Sequence, residues 1–207
     1  VESFSFPVEK IKEGYYTDAY FMRSEEILNG DNYHPRVLMQ VFARDHVVVC
    51  GTDEVIALIR QCAFHPETIE IHSLRDGEEV DEWETVMTIE GDYADFAHLE
   101  TIYLGILARQ SRIATNVRRV VKAANGKPVL FFPARYDIYQ TQESDGYAAL
   151  VGGIHGFSTD ANALAAGGKG LGTIPHALIA SYKGDTVAAT EAFDKYVDPS
   201  IARIALV

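Results

Sequence analysis

The chain has 207 residues, of which 47% are hydrophobic and 23% charged, and its formal net charge is -12 at pH 7. This is the composition of a globular protein with enough apolar residues for one sizeable core, and it excludes a disordered chain. The acidic balance argues against nucleic acid or an anionic membrane surface as the main partner, because both attract basic faces, but it leaves phosphorylated small molecules open.

The two cysteines and the length of the apolar runs indicate where the protein works. Cys50 and Cys62 are too few for a disulfide framework, and Cys62 lies among apolar helix positions. No apolar run approaches the ~20 residues that span a bilayer. We therefore expect two reduced thiols and a cytoplasmic protein.

The first half of the sequence predicts a small sheet with helices. Apolar residues alternate over 35–44 and continue over 47–49, which predicts two strands. Thr52 is the expected N-cap of a helix whose apolar stripe follows it. Two more strands are expected at 68–73 and 85–90, on either side of a turn. Together these elements predict an α+β domain.

Two helices are expected in the middle of the chain. Apolar residues repeat at helical spacing over 95–110. A second helix is expected over 115–124, ending at Asn125-Gly126, which is a common helix-terminating pair.

After Pro128 strands and helices alternate. The wholly apolar run 129–132 predicts a strand covered on both faces. Further strands are expected at 153–157, 171–174 and 201–207, separated by helices at 145–151, 160–166 and 186–196. Four parallel β/α units form half of a barrel, which closes with eight strands. Either the sequence is a fragment, or another chain supplies the other half and covers the open strand edges.

His176 is the first candidate for chemistry. It lies in Gly-Thr-Ile-Pro-His-Ala at 172–177, just after a predicted strand. Catalytic residues of β/α folds collect at the carboxyl ends of strands, where a histidine can act as base, acid or phosphate acceptor. The alternative is a histidine bonded to the backbone at a helix start, and the spacing leaves both open.

Two loops could bind a flat anion. Phe132 and Arg135 follow the first apolar strand, where an aromatic ring can stack on a heterocycle and a guanidinium can bind carboxylate or phosphate. The alternative is a core aromatic followed by a solvated arginine. In the Gly-rich turn at 152–160, Ser158 and Thr159 could hold an anion or simply cap a helix. His155, in the same turn, is interpreted as structural.

Five segments, in order, resemble nicotinate phosphoribosyltransferases, a family of type II phosphoribosyltransferases. They are Thr-Asp-Ala-Tyr-Phe at 17–21, Glu-Gly-Asp-Tyr-Ala-Asp-Phe at 90–96 with Glu100-Thr101, Phe-Pro-Ala-Arg at 132–135, the turn at 152–163, and Gly-Thr-Ile-Pro-His-Ala at 172–177. The last of these is the most specific, and the set spans essentially the whole chain.

The resemblance implies an α/β fold in two parts. Residues 1–126 would form an N-terminal α/β sandwich domain with linking helices, and 127–207 the first half of an irregular β/α barrel whose remainder this chain lacks. It also implies an enzyme that joins nicotinate to phosphoribosyl pyrophosphate in NAD synthesis, with ATP and Mg²⁺ as cofactors and a homodimer or larger assembly as the expected state.

The resemblance also implies roles for individual residues. Phe132 would stack on the pyridine ring, and Tyr20 from a second subunit would cover its other side. Arg135 would bind the substrate's phosphate or carboxylate, and the turn at 158–161 would line the nicotinate end. His176 corresponds to the histidine that ATP phosphorylates. The implied substrate-binding set is Tyr20, Phe132, Arg135, Ser158, Thr159, Ala161 and Thr173.

The sequence departs from the family pattern in places. Pro133 replaces a usual glycine, and Tyr136 stands where relatives often carry a second arginine. The segment 137–146 is unusually polar, and an Asp-containing phosphoribosyl-binding segment of the later barrel strands is absent. Ala161 matches the position of an aspartate that contacts the amide in nicotinamide-specific relatives, which favours the acid.

Three alternatives remain at this point. The chain could be a non-catalytic or fragmentary relative that needs a second polypeptide to complete its barrel. It could be an unrelated β/α enzyme using Lys169 as a Schiff-base amine, although Lys169 lies among glycines in an expected surface loop. It could also be a quinolinate-type relative, although the match at 172–177 favours the nicotinate branch.

Overall fold

A computed structural model describes residues 4–204, in which eight α-helices and seven β-strands are joined by turns and short 3-10 segments. The helices are α1 (Val8–Lys12), α2 (Ala19–Gly30), α3 (Thr52–Cys62), α4 (Glu100–Ala123), α5 (Gln142–Gly152), α6 (Asp160–Ala163), α7 (His176–Ser181) and α8 (Thr186–Tyr196). The strands are β1 (Arg36–Phe42), β2 (Val47–Val48), β3 (Glu70–Ser73), β4 (Glu79–Val80), β5 (Thr85–Asp92), β6 (Leu130–Phe131) and β7 (Gly156–Phe157).

The first part of the chain is built on a three-stranded antiparallel sheet in the order β1-β5-β3. Side chains alternate across a strand, and in β1 Val37, Met39 and Val41 face inward while Leu38 and Phe42 are exposed. The inner face packs on α3 and the start of α4. The predicted strands of this half are therefore confirmed, and the fully or nearly fully buried core contains Val55, Leu58, Ile59, Met87, Ile89, Phe96, Leu99 and Tyr103.

The start of α3 differs from the prediction. Gly51, with φ of 100°, is the N-cap, and Thr52 is the first helical residue. The carboxylate of Asp76 accepts hydrogen bonds from the Thr52 backbone N–H at 2.9 Å and from its hydroxyl at 2.8 Å. The carboxylate of Asp76, in a distant turn, complements the positive end of the helix. The helix therefore does not need the Thr52 side chain as its N-cap.

The two predicted middle helices are one helix. After short 3-10 turns at Tyr93–Asp95 and Ala97–Leu99, α4 runs unbroken for 24 residues. The residues that border the predicted gap belong to the buried face, because Gln110 donates to Glu54 and the Thr115 hydroxyl accepts from Val48 N–H at 2.9 Å. A satisfied polar side chain can be buried in a helix without interrupting it.

The second part of the chain starts as parallel β/α units. Strands β6 and β7 pair in parallel, as predicted. The strands predicted at 171–174 and 201–207 do not form over 171–174 and 201–204, and residues 205–207 lie outside the described part. The extended segments nevertheless lie next to one another in the predicted order. Leu171 N–H donates to Phe157 C=O at 2.7 Å, and Ile174 N–H donates to Ile204 C=O at 3.0 Å.

The run 129–132 is not covered on both faces. Leu130 is 44% exposed and Phe132 46%. Strand β6 belongs to a two-stranded sheet, so it has a hydrogen-bonded neighbour, β7, along one edge and no neighbouring strand along the other. The predicted boundary between 126 and 127 falls in the loop from α4 to β6.

Helix α5 joins the two parts by lying against α4. Ala148 and Ala149 are fully buried, and a Cβ added to Gly152 would lie 2.7 Å from Val117, so the two helices approach closely. The guanidinium of Arg118 on α4 donates to the carbonyls of Val151 at 2.9 Å and Gly152 at 3.1 Å, which satisfies the last turn of α5.

A second contact between the parts involves Tyr147 of α5. Its hydroxyl donates to Asp76 Oδ2 at 2.8 Å, the same carboxylate that caps α3.

We predict that Tyr147→Phe lowers the free energy of unfolding by about 1–2 kcal/mol, because a half-buried carboxylate oxygen loses its donor. Chemical denaturation measures this change. Tyr33→Phe, at an exposed position, should leave stability unchanged. An equal loss of stability in both variants would contradict a specific contribution of the Tyr147–Asp76 hydrogen bond.

Candidate active site

The loops that follow the parallel segments of the second part lie at one edge. Ser158 N–H donates to Phe131 C=O at 3.0 Å, so the residue after β7 sits beside the end of β6. The extended segment that starts at Leu171 runs next to β7. The carboxyl ends of neighbouring parallel strands share an edge, and this edge carries Phe132, Ser158 and Thr173.

The loop after β6 is a tight turn with an exposed ring at its start. Phe132 is half exposed, and the carbonyl of Pro133 accepts from the N–H groups of Tyr136 at 3.0 Å and Asp137 at 3.2 Å. Arg135 adopts φ of 81°, in the left-handed region that non-glycine residues rarely occupy. Both predicted residues therefore lie in solvent at the edge, and Phe132 is not a core aromatic.

In the turn after β7, Ser158 and Thr159 have different roles. Thr159 is the N-cap of α6: its oxygen accepts from Asn162 N–H at 3.1 Å, and its hydroxyl lies 3.0 Å from Gln142 Oε1. Thr159 is therefore occupied in capping. The Ser158 hydroxyl oxygen is buried and has no hydrogen-bond partner within residues 4–204. A buried hydroxyl without a partner is uncommon, and it is available to a ligand.

Asp160 bears on the predicted anion site in this turn. Its carboxylate accepts from Gly170 N–H at 2.8 Å and pairs with Lys169 at 3.1 Å, and these contacts lower the pKa of Asp160. The charge at the start of α6 is therefore negative. Half-buried Ala161, in the following position, carries no charge and no polar side chain.

His176 is the first residue of α7, directly after Pro175, which fixes the entry to the helix. Its side chain is exposed and makes no hydrogen bond within the described residues, so it is not bonded to the backbone at the helix start. Thr173, three residues earlier, is also exposed, and its hydroxyl lies 3.5 Å from the Ile174 carbonyl. Both side chains are therefore free to contact a ligand.

Tyr20 belongs to another region. It is 57% exposed in the first turn of α2, its ring lies 4.3 Å from that of Phe21, and its hydroxyl is 3.4 Å from Asp18 Oδ2. Helix α2 packs against the turns that precede α4. The structure therefore places Tyr20 apart from the loops of the carboxyl edge.

Sequence reasoning missed an ion pair between a partly exposed arginine and a buried aspartate next to the candidate site. Arg109 of α4 donates through Nε and Nη2 to the two carboxylate oxygens of Asp145, each at 2.8 Å, and Asp145 is 1% exposed. This pair stabilises the charged form and raises the pKa of Arg109. The polarity of the segment 137–146 was the available signal, because a polar helix start needs partners when it is buried.

Two other candidates have structural roles. Val129 N–H donates to His155 Nδ1 at 3.2 Å, and His155 N–H donates to Val129 C=O at 3.0 Å, so His155 joins the starts of β6 and β7. Lys169 has an 85% exposed side chain and pairs with Asp160. It therefore lacks the dry surroundings that activate a lysine for Schiff-base chemistry.

The remaining thiols and carboxylates do not form a second reactive centre at the edge. Cys50 and Cys62 are free and buried, and burial raises the pKa of both thiols. Over residues 4–204, no three His, Cys, Asp or Glu side chains group in a way that could hold a metal ion. The same part of the chain has no helix with the length and hydropathy required to cross a membrane.

A cavity of about 850 Å³ lies between α3 and α5. Its lining includes Asp53, Glu54 and Glu143. Clustered carboxylates repel a negatively charged molecule. The cavity is therefore a poor site for an anionic substrate, whereas the carboxyl edge offers Arg135 and free hydroxyls.

Comparison with known proteins finds a family that is similar to the first part of the chain. The family profile described as quinolinate phosphoribosyl transferase, N-terminal domain, matches residues 18–111. Residues 18–111 are therefore similar to the N-terminal domain of quinolinate phosphoribosyl transferases. This region extends from α2 through the sheet and α3 into the first half of α4.

Solved structures agree with this assignment. Nicotinate-nucleotide pyrophosphorylase from Pyrococcus furiosus is 34% identical, with a TM-score of 0.88 over 100% of this chain and 53% of that chain. Human nicotinic acid phosphoribosyltransferase is 16% identical, with a TM-score of 0.70 over 90% of this chain and 43% of that one. Nicotinate-nucleotide pyrophosphorylase from Ehrlichia chaffeensis is 19% identical, with a TM-score of 0.63 over 89% and 68%.

These comparisons confirm the predicted fold class, an N-terminal α/β domain followed by part of a barrel of the type II phosphoribosyltransferase kind. The chain spans about half the length of the Pyrococcus furiosus protein. The predicted resemblance is supported at the coarser level of phosphoribosyltransferases and nucleotide pyrophosphorylases. The nicotinate branch within it is not distinguished from the quinolinate branch.

The site geometry depends on close contact between α5 and α6. A Cβ on Gly146 would overlap the carbonyl of Asn162 and lie 2.6 Å from its Cα. We predict that Gly146→Ala destabilises the protein by about 1–3 kcal/mol, because backbone must shift. Gly105→Ala is the matched control: nothing lies within 4 Å of its added Cβ, and helix propensity should add about 0.5–1 kcal/mol. Thermal unfolding of both variants measures these changes. An unchanged melting temperature in Gly146→Ala would contradict the close contact between α5 and α6.

Proposed function

We propose that the protein to which this chain belongs is a nicotinate phosphoribosyltransferase that makes nicotinate mononucleotide. The observation that carries the proposal is the edge where Phe132 and the unpartnered Ser158 hydroxyl follow the parallel strands β6 and β7, and unbonded His176 follows the next extended segment. The 34% identity to a nicotinate-nucleotide pyrophosphorylase supports the broader class of phosphoribosyltransferases.

In the proposed reaction the pyridine nitrogen forms a bond to C1 of the ribose, and the bond from C1 to the pyrophosphate oxygen breaks. Pyrophosphate leaves with that electron pair. The nitrogen lone pair is free at neutral pH, so no general base is needed, and the protein acts by positioning and charge stabilisation. Phe132 stacks on the ring, Arg135 binds an anionic group, and Ser158 donates a hydrogen bond.

Quinolinate is the second candidate substrate, because the matching family profile carries that name. Quinolinate has two carboxylates and would lose one as carbon dioxide. A second carboxylate calls for a second cation, yet Arg135 is the only basic residue in the segment 132–141, where Tyr136 follows it. Lys169 is already paired with Asp160. The charges of the edge therefore favour the monoacid.

We further propose that ATP is a substrate and that His176 accepts its γ-phosphoryl group. A ring nitrogen of His176 forms the bond to phosphorus, and ADP leaves with the electrons of the broken bond. The exposed and unbonded ring supports this role, and the Thr173 hydroxyl can donate to the phosphate. Mg²⁺ enters on the phosphates of ATP and phosphoribosyl pyrophosphate, which is its usual mode of binding.

Assembly belongs to the same proposal. In a homodimer, Tyr20 of one copy covers the pyridine ring that rests on Phe132 of the other. The exposure of Tyr20 supports this, as does α2, in which no residue is buried. In the alternative, the chain is a non-catalytic or fragmentary relative completed by a second polypeptide.

The substrate assay separates these possibilities. The full-length gene product is incubated with phosphoribosyl pyrophosphate and nicotinate, nicotinamide or quinolinate, with and without ATP. We expect mononucleotide from nicotinate, faster with ATP. Release of carbon dioxide from quinolinate would instead support the second candidate, and no mononucleotide from any acid would support the non-catalytic alternative.

The His176→Ala variant tests the role of ATP. We expect it to abolish ATP hydrolysis while slow, ATP-independent transfer remains measurable at high substrate concentration. His176→Gln should behave in the same way, because its amide cannot form the phosphoramidate. His155→Gln is a matched control at a histidine outside the carboxyl edge and should keep ATP hydrolysis. If either His176 variant still hydrolyses ATP, His176 is not the phosphate acceptor.

A further inference from the structure

The start of α5 connects the two loops that carry the candidate site. The loop after β6 leads directly into it through the 3-10 turn Tyr139–Thr141. On its other side, Asn162 of α6 donates to the Gln142 carbonyl at 2.7 Å, and the Thr159 hydroxyl lies 3.0 Å from the Gln142 side chain. A displacement of this first turn would therefore move both loops.

Arg109 of α4 binds the first turn of α5 through Asp145. Its guanidinium forms two parallel hydrogen bonds to the buried carboxylate of Asp145, and Thr141 donates its hydroxyl to the same carboxylate at 2.8 Å. A planar guanidinium that binds both carboxylate oxygens fixes orientation as well as distance. The burial of Asp145 makes the pairing obligatory, since an unpaired buried charge costs much more than an exposed one.

The same guanidinium extends to the loop itself. Nη2 of Arg109 lies 3.7 Å from Asp137 Oδ1 and 3.3 Å from the Thr141 hydroxyl oxygen. Asp137 lies two residues after Arg135, in the turn closed by the Pro133 carbonyl. One cation therefore contacts the rigid helix start and the tip of the turn at once.

We propose that Arg109 is a positioning residue for the pyridine-binding loop. Through Asp145 it is fixed to α5, and through Asp137 it holds the turn that presents Phe132 and Arg135. This role rests on the proposed function, because it assigns the loop to the pyridine acid. Arg109 itself contacts no substrate.

Asp137→Asn in the full-length protein tests the proposal, because it removes the loop's charge and leaves the pair of Arg109 with buried Asp145 intact. We expect KM for nicotinate to rise about 2- to 5-fold, the range for loss of one exposed ion pair. The kcat, the KM for phosphoribosyl pyrophosphate and the melting temperature should stay near wild type. Amide hydrogen exchange over 133–139 should be faster, with no change over 85–92.

Glu90→Gln is the matched control. Arg36 is exposed and pairs with both Glu90 at 2.8 Å and Glu70 at 2.7 Å, so this variant also removes one of an arginine's two acidic partners. It should change neither KM nor exchange over 133–139. A second variant, Arg109→Lys, keeps the charge but loses the fork, and should exceed Asp137→Asn in both effects.

The two readouts separate the inference from the function on which it rests. If wild type transfers no phosphoribosyl group to nicotinate, the proposed function fails, and the exchange measurement still decides whether Arg109 holds the loop. Unchanged exchange over 133–139 in Asp137→Asn overturns the positioning role, as does an equal rise in KM for both substrates.

Discussion

Helix α5 must approach α4 and α6 with almost no side chain between them, and the rest of the second part depends on this constraint. At Gly152 an added Cβ would collide with Val117 of α4, and at Gly146 it would overlap the backbone at Asn162 of α6. Interiors packed at this density do not absorb an extra methyl group without moving backbone. Because α5 is fixed in this way, the loops that enter and face it have defined positions.

The same helix shows how polar groups complete a close contact. Its last turn is satisfied by Arg118, and its first turn by Arg109 and Asn162. These bonds are directional, so they add orientation to the non-directional burial of Ala148 and Ala149. The candidate site thus lies on loops that are anchored to α5 by these polar contacts.

The sequence predicted elements whose patterns are local. Alternation gave the strand at 35–44, and helical spacing gave α8 at its observed bounds. It failed where partners are distant: Thr52 lost the N-cap position because Asp76, 24 residues away, supplies the carboxylate. The break predicted near 111–114 is absent because the polar residues of α4 find partners in other elements.

For the candidate site, the sequence identified the residues that end strands but not those that position them. Phe132 and Ser158 were predictable because they follow strands, and His176 because it lies in a recognisable motif. Arg109 and Asp145 are 36 residues apart and belong to no motif, so only the fold brings them together. The unpartnered Ser158 hydroxyl was equally unpredictable. Only the geometry of the turn shows that Thr159, and not Ser158, caps α6.

The central claim is that the carboxyl edge, and not the acidic cavity between α3 and α5, binds the pyridine nucleotide. A crystal structure of the full-length protein with nicotinate mononucleotide bound tests it most directly. We expect the pyridine ring to stack about 4 Å from Phe132 and Ser158 or Arg135 to donate a hydrogen bond of about 3 Å to the product. A product molecule bound in the cavity beside Asp53 and Glu143, with the edge vacant, would contradict it.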